Sequence, residues 1–395
     1  MGSKVKIALV YGGKSGEHEV SLQTAYAVMG QFDFSQYEII PFYITKQGEW
    51  RSGSKLIAPP QNVDQLKLQD APGVSAMQAL FAANPAYQAA EHALAAGAQD
   101  TAVISAASAE VTAEVQADGG IDVVFPLLHG TFGEDGTIQG LLEMANIPYV
   151  GAGVLASAVG MDKIMMKKIF AQENLPQCVF RYFNRTQWEK DSAYFIMECE
   201  VALGYPSFVK PANLGSSVGI TKVKNREELI AAVNYAFRYD RKVIVEEFID
   251  AREIEVSVLG NDEVQASVPG EIASSNEFYD YKAKYIDGKS AMIIPAELSA
   301  EMTEKIREMA VQAFQAIDGS GLSRVDFFVG REDNHIYINE INTMPGFTPF
   351  SMYPLLWKET GLEYKELLKK LIDLAMARHA AKAQLIFTEE NAIQS

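Results

Sequence analysis

The 395-residue chain has only two cysteines, Cys178 and Cys199. They provide neither a disulfide framework nor zinc-ligand spacing, which is the usage of a reducing, cytoplasmic compartment. Long apolar runs are also missing. No stretch approaches the roughly 18 apolar residues of a membrane span, and the run after Met1–Lys6 is about five residues, too short for a signal peptide. Positive charge is scarce: 34 Lys and Arg stand against 51 Asp and Glu, a net charge of −17. Such a surface argues against nucleic acid as a partner. Any site for a nucleotide must therefore be made locally positive by lysines, backbone N–H groups and bound metal. The two commonest nucleotide loops are absent as well. Gly13-Lys14-Ser15 resembles the end of a Walker A loop, but Ala8 stands where its first glycine belongs. Lys14 likewise occupies the second-glycine place of a dinucleotide fingerprint.

What is present is enough apolar side chain, 48% of the residues, for two or three domain cores. Val5–Val10, Glu38–Ile44 and Ile121–Leu128 read as buried strands of an α/β unit, with a helix over Ser21–Met29. Residues 70–120 are alanine-rich with few aromatics and read as an inserted helical segment. A helix carrying Met161-Asp162-Lys163 is expected next, then strands over Tyr205–Lys210 and Val218–Val223 and a helix starting at Asn225. Strands follow over Val243–Ile249, Glu253–Leu259, Ser323–Val329 and His335–Ile341. Ser299 caps a helix with Met302, Ile306, Met309, Ala313 and Ile317 on one face, and a last helix covers Tyr364–Met376.

The sharpest chemistry lies on two of these strands. In Arg324-Val325-Asp326-Phe327-Phe328-Val329, the period of two puts Arg324 and Asp326 opposite the apolar face. Glu340 and Asn342 project together from the next strand, so a hairpin across Gly330–His335 brings Asp326 towards them. Two carboxylates and an amide oxygen are the hard donors that magnesium prefers. Arg324 beside them offsets developing negative charge. The competing reading is a solvated polar face on an edge hairpin.

Lys210-Pro211 followed by Leu214-Gly215-Ser216-Ser217-Val218-Gly219 suits phosphate oxygens, through backbone N–H groups, serine hydroxyls and the Lys210 charge; an ordinary hairpin turn is the alternative. Lys163 is a second cationic candidate. The strand holding Glu246, Glu247 and Ile249 offers an extended backbone edge to an adenine, and Glu253 is placed for ribose hydroxyls. Glu17, at a carboxyl sheet edge, suits a ligand ammonium group; His129 stands at the end of a second strand. Tyr279–Tyr285, with Lys284 and Tyr285, sits in a long connection of the kind that forms lids.

Taken in order, these pieces resemble the D-alanine–D-alanine ligases of the ATP-grasp superfamily. The ordered set runs from Gly12-Gly13 and Glu17, through His129-Gly130 with Glu134-Asp135-Gly136, Met161-Asp162-Lys163 and Lys210-Pro211 with Gly215–Gly219. It continues through Glu246, Glu253, Tyr279-Asp280-Tyr281 and Lys284-Tyr285 to Arg324-Val325-Asp326 and Glu340–Gly346. It covers nearly the whole chain except the alanine-rich insert. The resemblance implies a multidomain α/β and α+β architecture: an ATP-grasp fold with an N-terminal Rossmann-like domain. Residues 1–152 would form the N-terminal substrate domain, 153–251 the central lid domain, 252–385 the catalytic domain and 386–395 a tail.

It also implies roles. Lys163, Lys210 and Lys284 would contact ATP phosphates, Glu246, Glu247 and Ile249 would frame the adenine with Glu253 on the ribose, and Ser217 and Phe328 would also bind ATP. Asp326, Glu340 and Asn342 would hold two magnesium ions, with manganese able to substitute. Glu17, Ser216 and Tyr285 would position two D-alanine molecules with His129, Arg324 and Gly346 would stabilise the oxyanion, and Ser351 and Met352 would receive the second substrate. A cytoplasmic homodimer making a peptidoglycan precursor is the implied setting. Tyr285 favours D-alanine over D-lactate as second substrate, while D-serine stays open. A catalytically silent ATP-binding regulator is the reading from another class, and the full Asp326, Glu340 and Asn342 set speaks against it. The insert is longer than the family needs, and Ala212-Asn213-Leu214 lacks charged residues that some relatives carry there.

Overall fold

The computed structural model describes residues 4–69, 80, 120–215, 218–273 and 291–386. The alanine-rich segment therefore lies almost wholly outside the described residues, as do Ser216, Ser217, Lys284, Tyr285 and the tail from 387.

The chain opens on strand β1 (Val5–Gly12), helix α1 (His18–Met29), β2 (Tyr37–Ile44), β3 (Trp50–Ser52), β4 (Val123–Leu127) and α2 (Thr137–Met144). They form a sheet of order β3-β2-β1-β4, in which β1 runs parallel to both β2 and β4. Both faces of β1 are covered, so it reads as an unbroken apolar run. Ile7, Leu9 and Tyr11 enter one core while Ala8 and Val10 enter the other. Because Tyr11 pairs with Leu127, the loops that follow the two strands emerge side by side at the carboxyl edge.

Two short helices follow, α3 (Val154–Met161) and α4 (Lys163–Gln172). The expected single helix through Met161-Asp162-Lys163 is in fact a junction. Asp162 leaves helical geometry, and its carboxylate accepts from the Ile164 and Met165 N–H groups at 3.1 and 3.2 Å. Satisfying those orphan donors starts a new helix. Asp162 also pairs with Lys242. Replacing it by alanine should cost roughly 1–2 kcal/mol, read as a lower urea midpoint with unchanged slope. An unchanged midpoint would show that the cap contributes nothing.

The central sheet is built from β5 (Phe180–Asn184), β6 (Ser207–Pro211), β7 (Thr221–Val223) and β8 (Lys242–Glu247), in the order β5-β8-β6-β7. β7 starts three residues later than the expected Val218. Helices α5 (Arg185–Lys190), α6 (Ser192–Ala202) and α7 (Arg226–Ala236) cover one face, where Phe183, Val209, Val243 and Val245 are buried. Asn225 caps α7 as expected, accepting from the Glu228 N–H at 2.9 Å. Period-two alternation turns Lys210, Ile244 and Glu246 to the opposite face, against α4.

The third sheet holds β9 (Ala251–Gly260), β10 (Gln265–Ala266), β11 (Gly270–Ala273), β12 (Ala291–Ile293), β13 (Gly321–Gly330) and β14 (Ile336–Asn342). Its order is β12-β11-β9-β13-β14, with β10 paired to β9. Helix α8 (Ala300–Ala316), capped by Ser299, fills one face. Ile306, Met309 and Ala313 meet Ile254, Val256, Val325, Phe327 and Val329 there. Ala156, Val159, Met166 and Phe170 of α3 and α4 join the same core. The last helices are α9 (Met352–Glu359) and α10 (Tyr364–Lys382), the latter a turn and a half longer than expected. Leu367, Leu368, Leu371 and Ile372 of α10 pack into the core under β1, so the end of the chain closes the first sheet.

Candidate active site

The expected hairpin is present. β13 and β14 are antiparallel, with Arg324 opposite Asn342 and Asp326 opposite Glu340. A bulge beside Asp326 then shifts the register, so that Phe327 faces Ile338. Without that extra residue Ile338 would share the face of Glu340. With it, Ile338 and Ile341 are both buried while Glu340 and Asn342 face the cleft.

Arg324 grips Asp326 with two hydrogen bonds of 2.7 Å and lies 3.0 Å from Glu255. Glu255 sits on β9 directly across from Asp326, so three carboxylates occupy neighbouring strands around one guanidinium. Burial opposes the Arg324 charge, but Asp326 and Glu255 outweigh it and hold its pKa well above the usual value. Asn342 donates to Asp326 at 3.0 Å, and the Lys163 ammonium stands 3.6 Å from Glu340. Among the described residues no three His, Cys, Asp or Glu side chains cluster as a closed cation site. An open set of two carboxylates and one amide fits magnesium, which keeps positions for water and phosphate oxygens.

The opposite wall comes from the first sheet. Glu17 precedes α1 and is buried. A Cβ on Gly130 would sit 2.5 Å from its carboxylate, and one on Gly215 would sit 2.8 Å away. Glycine at both positions leaves room for the Glu17 carboxylate between the His129-Gly130 turn and Gly215, and the left-handed Gly130 backbone (φ +73°) itself favours glycine. His129 is buried, with Nδ1 3.1 Å from the Met344 carbonyl and Nε2 3.1 Å from the Thr24 hydroxyl. A carbonyl only accepts, so Nδ1 carries the proton. Burial holds the imidazole pKa below its usual value, against the opposing charge of Glu17. His129 thus ties the first sheet to the loop after β14. Glu134, part of the sequence motif but given no role there, accepts the Gly130 N–H at 2.8 Å. Burial first, and Glu17 second, push its carboxyl well above the ordinary range.

Between these walls lies a cavity of about 1150 Å³. Glu17, His129, Lys163, Arg324, Glu340, Asn342, Gly346, Ser351 and Met352 all line it. Its volume exceeds that of an ordinary single-ligand pocket. The Lys163 ammonium donates to the Leu214 carbonyl at 2.9 Å and so bridges the central loop and Glu340. Ser351 immediately precedes α9, and its hydroxyl accepts from the Thr348 N–H at 3.0 Å. Met352 is buried against Ile272 and Leu356.

Lys210, Glu246, Glu247, Ile249, Glu253, Asp326 and Phe328 lie outside that cavity's lining. Phe328 stands across from Glu253 on neighbouring strands, and Glu247 accepts the Val179 N–H at 2.6 Å. Ile249 falls just beyond the end of β8. Glu246 is buried between two lysines, 2.5 Å from Lys210 and 3.3 Å from Lys167. Lys167 was not among the sequence candidates. It falls four residues after Lys163, one helical turn on, the spacing that could have flagged it. Burial drives the Glu246 carboxyl upward, but Lys167 and Lys210 outweigh it and hold its pKa at about 2 against an ordinary 4.5. A depressed carboxyl stabilises the fold above its unfolded pKa. Part of the stability should therefore vanish as pH falls from about 4.5 towards about 2. In Glu246→Gln that component should be missing from the pH profile; an unaltered acid limb would refute it.

A Rossmann-like sheet, an antiparallel central sheet whose β6–β7 connection reaches the cleft at Leu214, Gly215 and Ile220, and a third sheet with an acidic hairpin define an ATP-grasp protein. Residues 6–152 match the model for the D-ala D-ala ligase N-terminus, and residues 169–373 match that for the D-ala D-ala ligase C-terminus. The chain belongs to the D-alanine–D-alanine ligase family. It is 52% identical to a D-alanine–D-alanine ligase of Bacillus cytotoxicus over 98% of this chain and 99% of the relative. The corresponding ligase of Geobacillus kaustophilus is 50% identical, with 98% of each chain covered. Among solved structures, the D-alanine–D-alanine ligase of Coxiella burnetii superposes with a TM-score of 0.75 at 31% identity, covering 100% of both chains. The VanG D-Ala:D-Ser ligase of Enterococcus faecalis gives 0.73 at 35% identity, covering 94% of this chain and 100% of that one.

Proposed function

We propose that this chain joins two D-alanine molecules into D-alanyl-D-alanine at the expense of ATP, as a cytoplasmic homodimer supplying peptidoglycan synthesis. The observation that carries the reading is the facing pair of Asp326 and Glu340, with Asn342 and Arg324, across the cleft from Glu17 and His129. Full-length relatives at about 50% identity carry that activity in their names.

A carboxylate oxygen is a poor leaving group, so the first D-alanine must be activated. Its carboxylate attacks the γ-phosphate of ATP, ADP leaves, and an acyl phosphate forms. The amine of the second D-alanine, having lost its proton, attacks that carbonyl, and inorganic phosphate leaves as the peptide bond closes. Asp326, Glu340 and Asn342 would hold two magnesium ions, or manganese in their place, which supply charge neutralisation to the phosphoryl group. Lys163 and Lys210, with Ser217 and Lys284, hold phosphates. Glu246, Glu247, Ile249 and Phe328 surround the adenine, and Glu253 binds the ribose. Glu17 binds the first ammonium, and Ser216 and Tyr285 are assigned with it to substrate positioning. Arg324 and the Gly346 backbone face the oxyanion, with His129 beside it, and Ser351 and Met352 receive the second substrate. The three assigned segments are 1–152, 153–251 and 252–385.

The test is ADP release with Mg-ATP and D-alanine, L-alanine, D-serine or D-lactate. D-alanine should give the fastest release, with the dipeptide as product. Release that does not depend on D-alanine would remove the proposal. No helix among the described residues is long and apolar enough to cross a membrane.

A further inference from the structure

Lys167 is fully buried, at 1% side-chain exposure, and lies one helical turn beyond Lys163 on α4. A buried ammonium is costly, so it needs a reason. Its partner is Glu246 of β8, whose two oxygens divide between two cations. Oε1 faces Lys167 at 3.3 Å and Oε2 faces Lys210 of β6 at 2.5 Å. The Cys178 thiol lies 3.5 Å from Lys167, and the Phe180 ring is 5.8 Å from its ammonium. Burial raises that thiol to about 11, so it adds no negative charge near neutral pH.

The cluster therefore holds two positive charges and one negative. A lone Glu246–Lys210 pair would be neutral. With Lys167 present, these three groups sum to one positive charge, in a protein whose overall charge is −17. A site for a polyanion in such a chain needs a local excess of positive charge. We infer that Lys167 supplies it: as a positioning residue it saturates Glu246, so that Lys210 presents a net positive charge to the nucleotide. The inference rests on the ATP-binding reading given above and deepens it.

The experiment uses the full-length protein with Lys167→Met and Lys167→Gln. Glutamine keeps a hydrogen-bond donor for Glu246 but no charge, and so separates charge from tethering. Both variants should raise the KM for ATP about tenfold, a plausible reach for one unit charge over several ångströms of protein. The kcat at saturating ATP and both D-alanine KM values should stay within about twofold. Inhibition by ADP should weaken in parallel with ATP, while inhibition by uncharged adenosine should not change. A Lys167→Gln protein with the parental KM for ATP would overturn the inference, as would equal losses for adenosine and ADP. If Lys167→Met does not fold, Lys167→Gln decides alone. A parent protein that releases no ADP with D-alanine overturns the functional reading and this inference together. A working parent matched by both variants overturns the inference only.

Discussion

Glu340→Gln should lower D-alanine-dependent ADP release by about a hundredfold or more, the scale seen when one preorganised charge-stabilising group is lost. The substitution is isosteric and leaves an amide where a carboxylate faced Asp326 across the hairpin. Glutamine retains one oxygen donor but removes the charge that favours a divalent cation. Glu340 is partly exposed, at 26% of its side chain, and its 3.6 Å contact with Lys163 is loose. The melting temperature should therefore hardly move. Rates measured across a magnesium series separate the causes. A shifted magnesium requirement with a lowered maximum is the expected pattern. A normal rate at limiting magnesium would show that the acidic hairpin is not the metal site.

Arg324→Met should both abolish turnover and destabilise the protein by about 3–5 kcal/mol, the cost of removing one partner from a buried ion pair. The guanidinium is bidentate to Asp326 and within 3.0 Å of Glu255, and Glu340 stands opposite Asp326. Methionine matches part of its length but leaves three carboxylates on adjacent strands without their common cation. Urea unfolding reads the effect directly. Stability within about 1 kcal/mol of the parent would mean the carboxylates relax into water, and that Arg324 is not their structural counter-charge.

Both expectations rest on a hairpin that was legible beforehand, because alternation is a short-range signal. Val325, Phe327 and Val329 must share a face, so Arg324 and Asp326 share the other. The bulge beside Asp326 was not legible. It places Ile338 and Ile341 in the same core although only two residues separate them, and no composition or turn signal marks it. The break at Asp162 was similarly hidden. A good helix former on either side outweighs one aspartate in a propensity reading, and only the capped Ile164 and Met165 N–H groups reveal the new start. Lys167 and Glu255 escaped notice for a related reason: each matters through partners far away in sequence. The sequence places Glu246 on a strand suited to an adenine, but not the lysines from two other elements that the structure sets around it.

The sequence alone determined the local order. Most strands, the caps at Asn225 and Ser299, and the polar groups at period two on each arm of the hairpin follow from neighbours a few residues apart. Only the tertiary structure decided which distant groups meet. Glu17 reaches Gly130 and Gly215, His129 meets Met344, and α10 closes the core beneath β1. Those contacts depend on how separate cores dock. Burial of apolar surface drives that docking without direction, so a one-dimensional pattern fixes which faces are apolar but not which faces join.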